Sequence, residues 1–124
     1  MHWVRLATAF PRNPKVLDVL ADKDGHRTIL AYLFGLAYAG DMETDGFIPA
    51  ESLGTFGARQ ADADRLVAAG LWQAERGGWS VHDWRDYQLS THEMRARSER
   101  AREAALARWK RGRGEVPRGG RKHA

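Results

Sequence analysis

The feature that most constrains the fold is a hairpin pattern over residues 71–82, LWQAERGGWSVH. Residues 71–75 and 79–82 have the composition of two strands, and the glycine pair after Arg76 is among the better short signals for a tight turn. The apolar pair in the stretch GFIP (residues 46–49) could add one edge strand, since its proline stops further pairing. The chain is therefore predicted to contain a small three-stranded sheet.

Two helices are predicted ahead of this sheet. Residues 3–6 alternate in the manner of a short strand, and the first helix then starts where Asn13 can cap it and Pro14 suits the first turn. The apolar stripe of this first helix is formed by Val16, Leu17 and Leu20. A second helix, from about residue 25 to 39, is apolar around most of its girth, which predicts the central and most buried helix.

Two short helices are predicted between the edge strand and the hairpin. Residues 50–57 form the first, with Gly57 as its stop, and residues 58–70 form the second, which Gly70 closes. The inner face of the second is formed by Ala63, Leu66 and Val67. This order of elements predicts a mainly α fold with a small β-sheet: a winged helix-turn-helix followed by a C-terminal basic helix. In such a fold the second paired helix enters the major groove, and the hairpin tip touches phosphate or the minor groove.

The sequence resembles a group of actinobacterial phage proteins over about residues 1–110. The resemblance rests on WVRLATAFPRNPKVL, on TDGFIPAESL, on RLVAAGLWQAERGGWSVHDWRDYQLS and on the arginine-rich helix that follows. Those proteins are described as helix-turn-helix DNA-binding proteins, and they are similar to the N-terminal winged helix of DnaD-type replisome organisers. The resemblance implies DNA binding in replication initiation or transcriptional regulation, in the cytoplasm of a bacterial host. None of its motifs is a catalytic signature.

Charge is distributed unevenly along the chain. Residues 1–90 hold 9 Lys and Arg against 12 Asp and Glu, whereas residues 91–124 hold 11 against 4. Such a block usually marks an arm for nucleic acid or another polyanion, and the alternative is a solvated helix with a frayed tail. We expect a winged-helix domain over residues 1–90, an arginine-rich helix over 91–113 and a disordered basic tail over 114–124.

The arginine-rich helix supplies most of the predicted phosphate contacts, which carry no sequence information by themselves. Its candidate residues are Arg95, Arg97, Arg100, Arg102, Arg108, Lys110, Arg111 and Arg113. A narrow seam of small and apolar residues could lie along the domain or pair with the same helix of a second subunit. The candidate contacts of such a homo-oligomer are Met94, Ala101, Ala105 and Trp109. Trp109 is either the anchor of that seam or a stacking platform for an unpaired base.

The predicted recognition helix, residues 58–69, is an unusual reader of DNA because its charges cancel. Its outward positions are Gln60, Ala61, Asp64, Arg65 and Ala68, with Arg59 and Asp62 flanking them. Either this helix reads double-stranded DNA through Arg59, Gln60 and Arg65, or the domain docks a host or phage protein while the basic helix holds nucleic acid. Arg76 is the candidate contact at the tip of the wing.

The stretch HDWRDY, residues 82–87, raises the question of catalysis. The chain has no cysteine, and no histidine has ligand spacing to another, so we predict no enzyme activity, no metal site and no cofactor. His82 and Asp83 instead end the hairpin, while Trp84 and Tyr87 fold back on the core as a latch. No apolar stretch approaches the roughly 20 residues that span a bilayer, so a soluble protein without membrane partners is expected.

Overall fold

The computed structural model describes residues 3–88 and 91–115. Its helices and strands are, in chain order, α1 (Pro14–Leu20), α2 (Gly25–Asp41), β1 (Phe47–Pro49), α3 (Leu53–Phe56), α4 (Gln60–Ala69), β2 (Trp72–Glu75), β3 (Gly78–Val81), α5 (Trp84–Tyr87) and α6 (Thr91–Glu115). Short 3-10 helices precede α1 and α3, at Phe10–Arg12 and Ala50–Ser52. The chain divides into two compact units, Met1–Thr91 and His92–Ala124. The fold is mainly helical, as predicted.

The sheet is antiparallel and open, with the strand order β1-β3-β2. Ile48 of the edge strand lies opposite Trp79, and Val81 lies opposite Trp72. All four side chains are buried, and β1 ends at its proline, so the predicted three-stranded sheet is confirmed. The turn consists of Arg76 and Gly77 alone, because Gly78 already pairs within β3. Gly77 adopts φ 84°, a left-handed conformation that glycine takes without steric cost.

The predicted N-terminal strand is absent: residues 3–9 form neither a strand nor an α-helix. The main chain of Arg5 is instead paired by a side chain. Its N–H donates to Oε1 of Gln88 at 2.8 Å, and Nε2 of Gln88 donates to its carbonyl oxygen at 2.7 Å. The Gln88 carboxamide thus takes the place of a neighbouring strand, which alternation in the sequence could not reveal.

Helix α1 begins as its sequence predicts. Oδ1 of Asn13 accepts the N–H of Lys15 at 2.9 Å, and proline occupies the first turn. The predicted stripe is wrong at one position, because Leu17 is 50% exposed, and the buried residues are Val16 and Val19.

Helix α2 packs one face on the rest of the core and leaves another at the surface. Ile29 and Leu36 are buried, but Leu30 is 47% exposed and Phe34 is 44% exposed. Among α1, α2 and α4, α2 contributes the most buried residues, as predicted, although its apolar girth also includes this exposed side. Where α2 meets the sheet, Gly35 provides the space for two side chains. A Cβ atom at this position would lie 2.8 Å from Cδ1 of Ile48 and 2.9 Å from Cζ2 of Trp72.

Substitution of this glycine is expected to destabilise the first unit. In Gly35→Ala the new methyl group would displace the Trp72 ring and the Ile48 side chain, and overpacking of this kind costs about 1–3 kcal/mol. Gly54→Ala in α3 is the matched control, because a Cβ there meets nothing within 4 Å. The control is expected to be neutral or to stabilise by about 0.5–1 kcal/mol. Equal midpoints of urea unfolding for the two variants would contradict the packing at Gly35.

Helices α3 and α4 end at glycines, as predicted. Gly57 adopts φ 69° and Gly70 adopts φ 83°, a conformation that other residues rarely take. Ala63 and Leu66 are fully buried, and Val67 is partly buried. Helix α4 begins at Gln60 rather than at residue 58, because Arg59 is extended and serves as its N-cap.

The latch after the hairpin involves different residues from those predicted. Trp84 is buried, as expected, and its ring lies so close to Gly46 that a Cβ on that glycine would come within 2.8 Å of it. Tyr87 is 56% exposed, so its predicted return to the core is wrong. Gln88 is the buried residue that joins this segment to the N-terminal part of the chain.

Helix α6 spans 25 residues, four more than the stretch that reads as helical from about Thr91 to Arg111. It extends through Glu115 into the segment predicted as a disordered tail, and residues 116–124 of that tail lie outside the described part. No helix within the described ranges has the length and apolar character that crossing a membrane requires.

Candidate nucleic-acid interface

The N-terminus of α4 is built around the carboxylate of Asp62, whose side chain is 1% exposed. Its Oδ2 accepts the backbone N–H of Arg59 at 2.9 Å, which satisfies one of the free donors at the helix start. Its Oδ1 accepts the hydroxyl of buried Thr28, on α2, at 2.9 Å. The expectation that Asp62 flanks an outward face is therefore wrong, because this carboxylate links α4 to α2.

Two arginine side chains, Arg59 and Arg27, form ion pairs with the Asp62 carboxylate. The Arg59 guanidinium lies 3.1 Å from Oδ1 of Asp62 and 3.6 Å from Oδ2 of Asp24, and Arg27 lies 3.7 Å from Oδ2 of Asp62. Burial pushes the pKa of Asp62 upward, but hydrogen bonds from Arg59 and Thr28 and the charge of Arg59 outweigh it. The net pKa of Asp62 is lower than usual. Arg59 is thus committed to an internal ion pair.

Arg65, the central candidate for base contacts, is also paired within the protein. Its Nε donates to Asp22 and its Nη2 lies 3.1 Å from Oδ2 of Asp18, so α4 is tied to α1 and to the turn after it. Hydrogen bonds to Asp22 and then Asp18 raise the pKa of Arg65 above its ordinary value. Its side chain is 26% exposed, and presenting it to a base edge would break both ion pairs.

The remaining outward residues of α4 offer little to nucleic acid. Nε2 of Gln60 donates to Oδ1 of Asp64 at 2.9 Å, which occupies the predicted base-reading amide. Ala61 and Ala68 complete the exposed face, so its one formal charge outside the ion pairs is negative. This face does not have the character of a cationic recognition surface.

Sequence reasoning missed the acids that neutralise α4. Asp18, Asp22 and Asp24 lie in the stretch DVLADKDG, and they reach Arg65 and Arg59 because α1 and α2 both pack on α4. The sequence does contain a signal for these ion pairs, because the three aspartates lie at the end of a helix with spacings of four and two residues. Only the crossing of three helices, however, shows which arginines they meet.

Arg76 lies at the exposed tip of the hairpin, as predicted for a wing residue. It forms no ion pair with any residue in the described ranges. Among the four candidates in the first unit, Arg59 and Arg65 are ion-paired and Gln60 is uncharged. Arg76 is therefore the one cation of this set that no acidic side chain of the described residues neutralises.

Most of the candidates of α6 are exposed cations on the helix surface. Six of them are exposed and form no ion pair with a described residue: Arg97, Arg100, Arg102, Arg108, Lys110 and Arg111. Arg95 is exposed as well. Arg113 belongs to the helix, but its side chain lies outside the described part.

Helical geometry sorts these cations into two faces. At 100° per residue, four arginines fall within an arc of about 80° and extend over about 21 Å of helix axis. We call this set the arginine face: Arg97, Arg100, Arg108 and Arg111. Glu99 and Glu103 lie on the other side, near Arg95, Arg102 and Lys110. Glu93 begins the arginine face, where a negative charge also suits the helix dipole.

The seam predicted for oligomerisation lies on the same helix. Ala101 and Ala105 are exposed, and Trp109 is 58% exposed. The side chain of Met94 lies outside the described part. The surface that a second subunit could use is therefore narrow, and self-association through it stays a prediction.

His82 and Asp83 follow directly after the end of β3 and contact each other. Nε2 of the histidine lies 3.1 Å from Oδ2 of the aspartate, and both side chains are more than 40% exposed. Asp83 adopts φ 60°, a conformation in which aspartate is tolerated at turns. Within residues 3–88 and 91–115, no group of three or more His, Asp or Glu side chains is placed to hold a metal ion.

No protein-family model, no curated protein and no solved structure matches the chain.

Proposed function

We propose that the chain is a non-enzymatic DNA-binding protein of the winged helix-turn-helix type, in which α6 supplies the affinity for double-stranded DNA. The observation that carries the proposal is the arginine face, whose four exposed cations form no ion pair with a residue that the structure describes. Its length of about 21 Å corresponds to roughly six base-pair steps, so several phosphates fall within reach of one helix.

The winged-helix assignment is supported by the order of elements in the first unit. An edge strand precedes a pair of short helices, and a hairpin follows them, with β1 paired to β3 rather than to β2. The hairpin then occupies the position of the wing, with Arg76 at its tip. The resemblance to phage helix-turn-helix proteins points to replication initiation or transcriptional regulation in the cytoplasm of a bacterial host.

A second candidate function is favoured by the ion pairs of α4. Because Arg59 and Arg65 are engaged by Asp62, Asp22 and Asp18, the helix presents a neutral to acidic face that suits a protein partner better than a groove lined by phosphates. In that case the first unit is an adaptor that docks a host or phage protein, and α6 binds nucleic acid non-specifically or pairs with a second subunit.

Salt dependence tests the main proposal directly. If four arginines neutralise four phosphates, the logarithm of affinity falls with a slope of about −3.6 against the logarithm of salt concentration, or roughly 100-fold between 50 and 200 mM. Fluorescence anisotropy of a labelled 24-base-pair duplex titrated with the full chain measures this slope. Absence of duplex binding at 50 mM salt would reject the proposal in favour of the adaptor.

The role of α4 is tested by the one amide on its exposed face. Gln60→Ala removes a side chain that could read adenine and whose one hydrogen-bond partner among the described residues is Asp64, so the fold is expected to be kept. We expect affinity and sequence preference for duplex DNA to change by less than about twofold, because phosphate contacts on α6 dominate. A loss of about tenfold on some sequences and not on others would assign base reading to α4 after all.

A further inference from the structure

A cavity of about 410 Å³ lies within the first unit, between the N-terminal segment, the start of α1, α2 and the segment that follows β3. Its volume falls in the range of about 300–1,000 Å³ typical of small-molecule sites. Neither the DNA-binding proposal nor the adaptor proposal uses this cavity, since no candidate of α4 or α6 lines it.

Aromatic side chains form much of the wall of the cavity. Phe10 and Tyr32 stack with ring centroids 5.5 Å apart and planes inclined by 19°. Trp84 also lines the cavity and is 5% exposed. Walls of this kind favour a flat, aromatic guest that continues the stack.

The wall also holds hydrogen-bond donors. The indole N–H groups of Trp72 and Trp84 are buried and have no acceptor within the described ranges, and of the two only Trp84 lines the cavity. The Trp84 N–H itself has almost no accessible surface, so it lies behind the wall and does not contact a guest directly. Burial, assisted by Asp83 and Tyr87, raises the pKa of Tyr32, which keeps its phenol protonated as a donor.

The charges around the cavity favour an anion. Three cations line it, namely Arg5, Arg12 and Lys15, against the single carboxylate of Asp83. Arg5 and Lys15 also donate to the carbonyl oxygens of Tyr87 and Gly70, both at 3.3 Å, which holds their charges in place. Asp83 is itself paired with His82, so the balance at the cavity is positive.

We propose that this cavity binds a small planar aromatic carboxylate, with its ring beside Phe10 and Tyr32 and its carboxylate toward Arg12. The occupant is a small-molecule ligand of the first unit, and the site stands independently of whether α6 binds DNA.

Nuclear magnetic resonance of the full chain tests the site, because the ring current of an aromatic guest shifts the indole N–H signal of a tryptophan in the wall. Benzoate, 2-naphthoate and indole-3-acetate are the probes, and Trp84→Phe identifies the Trp84 indole signal by its loss. We expect a saturable shift of that signal with at least one probe. 2-Naphthamide, which lacks the charge, is expected to bind at least threefold more weakly than 2-naphthoate. No saturable shift with any of the three carboxylates would overturn the proposal.

Charge substitutions locate the bound anion. Asp83→Asn removes the one carboxylate of the wall at a left-handed position that asparagine also accepts, and it is expected to raise affinity for the carboxylate probe roughly 3–10-fold. Arg12→Gln is expected to lower it by a similar factor. The matched controls Asp86→Asn and Arg85→Gln lie outside the cavity wall and are expected to change affinity by less than about twofold. Equal effects of a substitution and its control would place the probe elsewhere and overturn the assignment.

Discussion

Replacing Arg97, Arg100 and Arg108 with glutamine is expected to lower the affinity for duplex DNA by on the order of 500-fold at 0.1 M salt. The three arginines are exposed and form no ion pair with a described residue, so each is available to displace one condensed counterion from DNA. Losing three such contacts reduces the slope of log affinity against log salt by about 2.7, and at 0.1 M this amounts to the stated factor. Anisotropy titrations of the variant and the wild type at several salt concentrations measure both quantities.

The other face of the same helix provides the control. The variant Arg95→Gln, Arg102→Gln, Lys110→Gln removes the same charge from the side that also bears Glu99 and Glu103. Its affinity is expected to fall less than about tenfold, because these cations point away from a duplex that lies along the arginine face. Circular dichroism establishes that both variants keep α6. If the two triple variants lose the same affinity, net charge alone governs binding and the arginine face has no special role.

Asp62→Ala is expected to destabilise the first unit by about 2–3 kcal/mol. The substitution removes the N-terminal cap of α4, worth about 1 kcal/mol, and leaves the buried hydroxyl of Thr28 without its acceptor, at a cost of about 1–3 kcal/mol. For a unit of this size the melting temperature should fall by about 10–20 °C. Differential scanning calorimetry and urea unfolding followed by tryptophan fluorescence provide the measurement.

The same helix offers a matched control for this aspartate. Asp64→Ala removes an exposed carboxylate two positions away, whose one hydrogen bond comes from Gln60, and is expected to cost less than about 0.5 kcal/mol. Thr28→Val, which removes the hydroxyl and keeps the carboxylate, should fall between the two aspartate variants. If Asp62→Ala is as stable as Asp64→Ala, the carboxylate does not link α4 to α2 as described.

The contribution of Asp62 is expected to depend on pH in a defined direction. Hydrogen bonds and ion pairing lower the pKa of Asp62 in the folded state despite its burial, so the ionised carboxylate favours folding. This stabilisation is present above the unfolded pKa of about 3.9 and is lost as pH falls through the lower folded pKa. The difference in unfolding free energy between wild type and Asp62→Ala should therefore be constant from pH 7 to about 5 and shrink below 4. A difference that grows on acidification would reverse the sign of the pKa shift.

The elements of the first unit could be predicted because each has a local cause. Asn13 caps α1, Gly57 and Gly70 end α3 and α4, and the turn at Arg76 and Gly77 closes the hairpin, and each of these acts within a few residues. The failures share a different cause. Residues 3–6 alternate like a strand, but their partner is the side chain of a residue more than 80 positions later.

The candidate site likewise has a part that could be predicted from the sequence and a part that could not. That α6 is helical and cationic follows from its own residues, and its arginine face follows from spacing. The state of Arg65 does not, because its partners are acids on α1 and in the turn that follows it. Arg59 is paired mainly with Asp62 of its own helix, and packing adds Asp24 of the same turn. An arginine on the outward face of a predicted helix is available for binding only if no acidic side chain of a neighbouring element reaches it. The packing of the elements decides whether one does.

The pairing of Arg5 with Gln88 has a topological consequence. Two residues 83 positions apart are joined by a reciprocal pair of hydrogen bonds, which closes nearly all of the first unit into a ring. Ring closure of a long chain is what a disulfide between the two ends of a secreted domain achieves, and this chain has no cysteine. The amide pair provides the same closure at the strength of two hydrogen bonds, about 1 kcal/mol each, so the ring can open and reclose without any change in covalent chemistry.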